Sequence, residues 1–193
     1  MSVAVAAPPI ERYRLTGAIV RQMVEKGILA EDDRVELIKG ELFTMSPIGS
    51  EHSGIVNQLA ALFFKQLGQQ AVVSVQSPIP LSENSEPQPD VALLTPRADY
   101  YKRSLPEPGD ILLVIEVAES SIVYDRTVKL PLYAGASIPE VWIVNLSDRW
   151  IEVYRDPSAA GYTTMLKVLA GKSIAPQAFA DVTVGVDELL HHP

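Results

Sequence analysis

The sequence predicts a mixed α/β domain, a central sheet with helices packed on its faces. Three observations lead there. The stretch "SEHSGIVNQLAALFFKQLGQ" sets Ile55, Val56, Leu59, Leu62, Phe63 and Leu67 along one broad helical face. The run "ILLVIEVA" at 111–118 is apolar without alternation, as expected of a central strand covered on both sides. "EVWIVNL" and "WIEVYRD", parted by Ser147, Asp148 and Arg149, read as a hairpin of further strands.

The other elements follow in chain order. In "YRLTGAIVRQMVEKG", Thr16 is the expected helix cap, Ile19, Val20, Met23 and Val24 recur at helical spacing, and Gly27 ends the helix. "RVELIKGELFTM" supplies two short strands turning at Lys39 and Gly40. Ser50 is the expected cap of the long helix. After that helix come the strand "AVVSVQ", the polar, proline-rich break "SENSEPQP" and the strand "DVALLT". Pro106, Pro108 and Gly109 mark the loop into 111–118. "SIVYDRTVKLPLYAGAS" is expected to be helical at least in part, with Pro131 kinking it or opening its first turns. "YTTMLKVLAG" is one more strand, and the remainder reads as irregular.

A chain of 193 residues is expected to form one domain, 1–193, with residues 1–12 as a loosely ordered N-terminal arm. The composition is ordinary at 47% hydrophobic and 21% charged, and no apolar run approaches the ~20 residues of a membrane span. The start lacks the pattern of a secretory signal, and with no cysteine there are neither disulfides nor thiolate metal sites. A reducing cytoplasm is the expected compartment. The net charge of −8, from 16 basic and 24 acidic residues, argues against non-specific adhesion to nucleic acid. It leaves a nuclease open, because enzymes that hold divalent cations concentrate carboxylates.

The chemistry begins with Glu116, a carboxylate inside the apolar run. A buried acid needs a partner, and an unpaired one costs several kcal/mol. Asp90, directly after Pro89, opens the neighbouring apolar strand; alone it reads more readily as a turn aspartate. Two acids on adjacent strands repel unless a cation lies between them, and a hard ion such as Mg²⁺, with Mn²⁺ as a substitute, needs only one or two carboxylates. Asp125, Lys129 and Tyr133 recur every four residues and share a helical face. They form either a solvated ion pair or a lysine aimed at the metal site.

The order "QPDVALL", "LLVIEVAESS", "YDRTVKLPLYAGASIPEVWIVN" resembles the Uma2 (Uma-two) family of restriction endonucleases, which carries the restriction-endonuclease-like PD-(D/E)XK fold. "GILAEDDRVELIKGEL", "MSPIGSEHSGIVNQL" and "VQSPIPL" extend the resemblance over most of the chain. It implies a mixed sheet flanked by helices, with an N-terminal helix and hairpin extension, and Mg²⁺-dependent hydrolysis of phosphodiester bonds, with DNA as the expected substrate. Asp90 then matches the aspartate of the PD motif and Glu116 the acid of the (D/E)XK motif. Ala118 stands where that motif has lysine, and Lys129 of the following helix is the implied replacement.

On this reading Asp90, Glu116 and the backbone carbonyl of Val117 hold the metal, and Asp125 orients Lys129. Glu36, which interrupts an apolar strand as Glu116 does, is a further ligand or base, with a surface-facing strand acid as the alternative. His52, near a helix N-terminus, is expected to be a neutral imidazole. Gln76 is expected to face the same cleft. His191 and His192 read as tail residues. Cutting both strands suggests a homodimer. Two other functions stay open: a nuclease-like fold kept as a binding or assembly module, and, more weakly, a carboxylate pair for sugar hydrolysis.

Overall fold

The computed structural model describes residues 12–30, 32–45 and 47–190. The expected N-terminal arm, apart from Arg12, and both tail histidines lie outside them. Among the described residues no helix is long and apolar enough to cross a membrane.

Helix α1 (Gly17–Glu25) starts at Thr16, whose hydroxyl accepts the Ile19 N–H at 3.4 Å. Strands β1 (Val35–Ile38) and β2 (Glu41–Thr44) pair antiparallel through a two-residue turn. Lys39 and Gly40 both have positive φ there, 51° and 82°, the backbone that such a tight hairpin needs. Helix α2 (Ser50–Leu67) follows; its cap residue is Gly49, and the expected cap Ser50 is instead the first helical residue.

Six strands form the central sheet in the order β3 (Val72–Val75), β4 (Val91–Leu94), β5 (Ile111–Ala118), β6 (Glu140–Asn145), β7 (Trp150–Ser158) and β8 (Gly161–Val168). All neighbours are antiparallel except β5 and β6, which run parallel. That exception decides where the site can form. Two adjacent parallel strands need a crossover, and the crossover must pass over a face of the sheet. Here it runs through α3 (Ile122–Tyr124), a π turn (Asp125–Lys129) and α4 (Leu130–Gly135). The segment is continuous helix, and the wide turn lies just ahead of Pro131, which lacks the N–H that a regular α-helix would use.

β5 is buried on both faces, as its lack of alternation predicted. Leu113, Ile115 and Val117 pack with Leu59, Phe63 and Leu67 of α2. Val114 and Ala118 pack on the other face with Tyr133 and Ile138. Glu116 alternates with Ile115 and Val117, so it faces the crossover helix. The C-terminal region is less irregular than expected: β9 (Ser173–Ile174) and β10 (Val184–Gly185) pair, and α5 (Val186–Leu190) packs with α2.

Candidate active site

Asp90 stands one residue before β4 and ends the β3–β4 pairing, its carbonyl accepting the Gln76 N–H at 3.1 Å. Its neighbour Pro89 has no N–H, so the β4–β5 ladder stops here and the end of β5 stays paired only with β6, on its other side. The Val117 N–H, facing that gap, donates to Asp90 Oδ2 at 2.9 Å. The carbonyl of a strand residue points to the same edge as its N–H, which turns the Val117 carbonyl toward Asp90 as well. Gln76 Nε2 donates to Asp90 Oδ1 at 3.1 Å and His52 Nε2 to Oδ2 at 3.1 Å.

Glu116, 3% exposed, is met from above by the crossover helix. Lys129 Nζ lies 3.2 Å from Glu116 Oε1, and the Tyr133 hydroxyl donates to the same oxygen at 2.5 Å. Lys129 Nζ is also 3.2 Å from Glu36 Oε2. Glu36 is therefore no surface acid; it is buried and pairs with the lysine. It reaches the site because the hairpin is tied to the chain leading into Asp90. The Glu86 N–H donates to the Leu37 carbonyl at 2.7 Å and Gln88 Nε2 to the Val35 carbonyl at 3.0 Å. The Gln88 N–H donates to Glu36 Oε2 at 3.3 Å.

Asp125 and Lys129 are both buried, so the solvated-pair alternative is overturned. The Lys129 ion pairs run to Glu36 and Glu116. Asp125 accepts the Ser121 hydroxyl at 2.7 Å and acts on Lys129 through its field.

The electrostatics follow from burial. Desolvation, opposed by Lys129, pushes Glu116 up to about 8 and Asp125 up to about 6. Burial also raises Asp90, but the hydrogen bonds from His52, Val117 and Gln76 outweigh it and hold the carboxyl below its ordinary value. Lys129 is lowered by burial, yet Glu116 and Glu36 overcome this and raise it. The hydrogen bond to Asp90 raises His52 against its own desolvation. The Asp90 carboxylate thus favours the charged ring, the opposite of the direction expected from the helix N-terminus.

Asp90, Glu116, Val117, Lys129, Glu36, His52 and Asp125 thus line one cleft of about 330 Å³; Gln76, expected to face it, is not in the lining and touches the site through its hydrogen bond to Asp90. The donor set suits a hard divalent cation. Its metal-facing atoms are oxygens, it gathers Glu36, Glu116 and Asp125 around Lys129, and Glu116 is a carboxyl whose ionised form a further positive charge would favour. His52 Nδ1 is a buried nitrogen with no hydrogen-bond partner among the described residues. No group of three or more His, Asp or Glu among those residues is already arranged to chelate. Tyr133 was legible only as a member of the lysine's helical face; its role as the donor to Glu116 needed the fold. Gln88, which bridges Glu36 and β1, had no sequence signal.

Comparisons with known proteins agree with this architecture. The Uma2 family model, described as "Putative restriction endonuclease", matches residues 21–187. A crystal structure of "a putative nuclease belonging to DUF820" from Anabaena variabilis matches with a TM-score of 0.68 at 13% identity, covering 88% of this chain and 97% of that one. At that identity the likeness is one of fold, which in this chain is a mixed six-stranded sheet flanked by helices. No curated protein matches.

Proposed function

The chain belongs to the Uma2 family, described as putative restriction endonucleases, and on that premise we propose that it is a metal-dependent endonuclease hydrolysing phosphodiester bonds in DNA. The observation that carries the reading is the 3.2 Å approach of Lys129 Nζ to Glu116 Oε1. It supplies, from the crossover helix, the lysine that the motif lacks at Ala118.

In this proposal Asp90, Glu116 and the Val117 carbonyl hold Mg²⁺, with Mn²⁺ able to substitute. Such an ion supplies Lewis acidity and a more acidic bound water. Lys129 holds positive charge where negative charge grows on the phosphoryl oxygens. Glu36 and Tyr133 position the Lys129 and Glu116 side chains. His52 and Gln76 fix Asp90, with His52 also able to carry a proton at Nε2, and Asp125 adds negative field near the lysine. The whole chain is taken as one domain, since the site draws on residues 36 to 133. Cutting both strands would need two copies, so a homodimer working in the cytoplasm completes the proposal.

The test is incubation with supercoiled, linear and single-stranded DNA and Mn²⁺. Cleavage that disappears in Glu116→Gln supports the enzyme; cleavage indifferent to that change sinks it. Mn²⁺ should also raise the melting temperature by linkage, and Asp90→Ala should abolish the rise.

A second reading, a nuclease fold serving as a binding or assembly module, has one observation in its favour. Both Asp90 oxygens and Glu116 Oε1 already accept hydrogen bonds from the protein. Absence of cleavage together with absence of a Mn²⁺ shift would favour it.

A further inference from the structure

The mouth of the cleft carries groups that the proposed hydrolysis does not use. Phe43 of β2 is 36% exposed and belongs to neither core cluster. Its ring lies 5.8 Å from that of Tyr124, centroid to centroid, with the planes tilted by 45°. Ile48, 38% exposed, stands beside them on the cleft wall. The hairpin register pairs Phe43 directly with Glu36, so both side chains project from the same face. One register therefore delivers an acid to Lys129 and an aromatic ring to the opening above it, and a slip by one residue would turn both away.

The charges nearby point to how a substrate would be held. Binding duplex DNA needs a track of free cations to displace counterions. Here the net charge is −8, and Lys129 is engaged by Glu36 and Glu116. Arg34 is the other cation of the lining, against the acids Glu36, Asp90, Glu116, Glu119 and Asp125. Phosphate contacts alone therefore give weak affinity. A base stacked on an aromatic ring supplies affinity that needs no basic track and tolerates any sequence. The cleft volume of about 330 Å³ also lies at the small end of ligand sites, the scale of a nucleotide rather than a double helix.

We propose that Phe43 and Tyr124 form a base-stacking subsite and that the cleft takes an unpaired nucleotide, so that the strand presented to Asp90 and Glu116 is single-stranded at that point. The identity of the site as the place of cleavage rests on the nuclease reading; the stacking does not.

The test uses the full chain with Ca²⁺ in place of Mn²⁺, to hold the strand uncut. Its probe is a single-stranded oligonucleotide carrying 2-aminopurine, whose fluorescence is quenched by stacking, compared with the blunt duplex of the same sequence. The wild-type chain should quench the single strand and bind it at least tenfold more tightly than the duplex. Phe43→Leu, which keeps apolar bulk and removes the π face, should weaken single-strand binding on the order of tenfold and relieve the quenching. Phe43→Trp should restore both. The Mn²⁺-dependent melting shift should be the same in all three proteins.

Equal binding of duplex and single strand, no single-strand binding, or quenching unaltered in Phe43→Leu would each overturn the subsite. The duplex comparison needs no variant and so does not depend on how the substitutions fold. A chain that stacks bases through Phe43 but cuts nothing defeats the nuclease reading alone. One that cuts duplex and single strand equally, indifferent to Phe43→Leu, defeats the subsite alone.

Discussion

Lys129 Nζ and Glu116 Oε1 meet at 3.2 Å across the gap between the crossover helix and the strand beneath it. The parallel pairing of β5 and β6 makes this meeting possible, because it obliges the connecting helix to lie over β5. Ala118, two residues beyond Glu116 on the same strand face, is packed into the core under that helix with Tyr133 and Ile143. A small residue there leaves the lysine to arrive from above.

Because Lys129 Nζ lies 3.2 Å from both Glu36 and Glu116, Lys129→Met takes away the cation that both buried acids face. Breaking one partner of a buried pair costs about 3–5 kcal/mol. Adding Glu116→Gln to Lys129→Met should recover part of that loss, since one of the two buried acids left without its cation is gone. A thermal denaturation cycle over wild type, both single variants and the double variant reads the coupling; strictly additive losses would refute the shared pair.

Tyr133→Phe removes the hydroxyl that donates to Glu116 Oε1 at 2.5 Å while keeping the ring in the core. The buried carboxyl then lacks one donor, a loss on the order of 1–3 kcal/mol. Urea denaturation measures it. A stability equal to wild type would mean that the hydroxyl is not needed by Glu116.

Gly40 holds Glu36 in place through the hairpin turn. Its φ is +82°, and a Cβ added there would lie 2.5 Å from Arg14 Cβ and 3.0 Å from Arg14 Cα. Gly27 has a φ of +68° with nothing within 4 Å of the added atom. Gly40→Ala therefore combines backbone strain with a clash, whereas Gly27→Ala carries strain alone, roughly 1 kcal/mol. Parallel denaturation curves should show the larger loss at Gly40; equal losses would count against the clash.

Much of this was legible from local pattern. Thr16, the Lys39–Gly40 turn and the unalternating run around Glu116 are short-range signals, and each element formed where its signal lay. The partners of the acids were harder to read. Glu36 meets Lys129 only because β1 is tied to the segment before Asp90 while the crossover helix folds over β5. No periodicity encodes that meeting. The direction in which the His52 pKa moves was unreadable for the same reason: its helix position is local, whereas its neighbour Asp90 lies 38 residues further along the chain, just before another strand. Pro131 signalled a disturbed helix, but not that the disturbance is a π turn carrying both Asp125 and Lys129.

That turn is anchored from below. Arg126, within it, pairs with Glu152 of β7, a carboxylate 1% exposed that also accepts from Trp150 Nε1 at 3.0 Å and the Tyr154 hydroxyl at 2.8 Å. Burial raises the Glu152 pKa, but the hydrogen bonds from Arg126, Trp150 and Tyr154 outweigh it and hold the carboxyl below its ordinary 4.5. The folded chain therefore takes up this proton at lower pH than the unfolded chain. Between the two values the unfolded state binds more protons, so acid favours unfolding. The stabilisation is complete above the unfolded pKa and is lost as pH falls through the folded one. Glu152→Gln should melt below wild type at neutral pH, with the gap closing under acid as the wild-type carboxyl is protonated. Subtracting the two melting profiles cancels the other carboxylates, including Glu116, whose raised pKa acts in the opposite sense. A gap that stays constant down to about pH 3 would show that the Glu152 charge does not hold the turn.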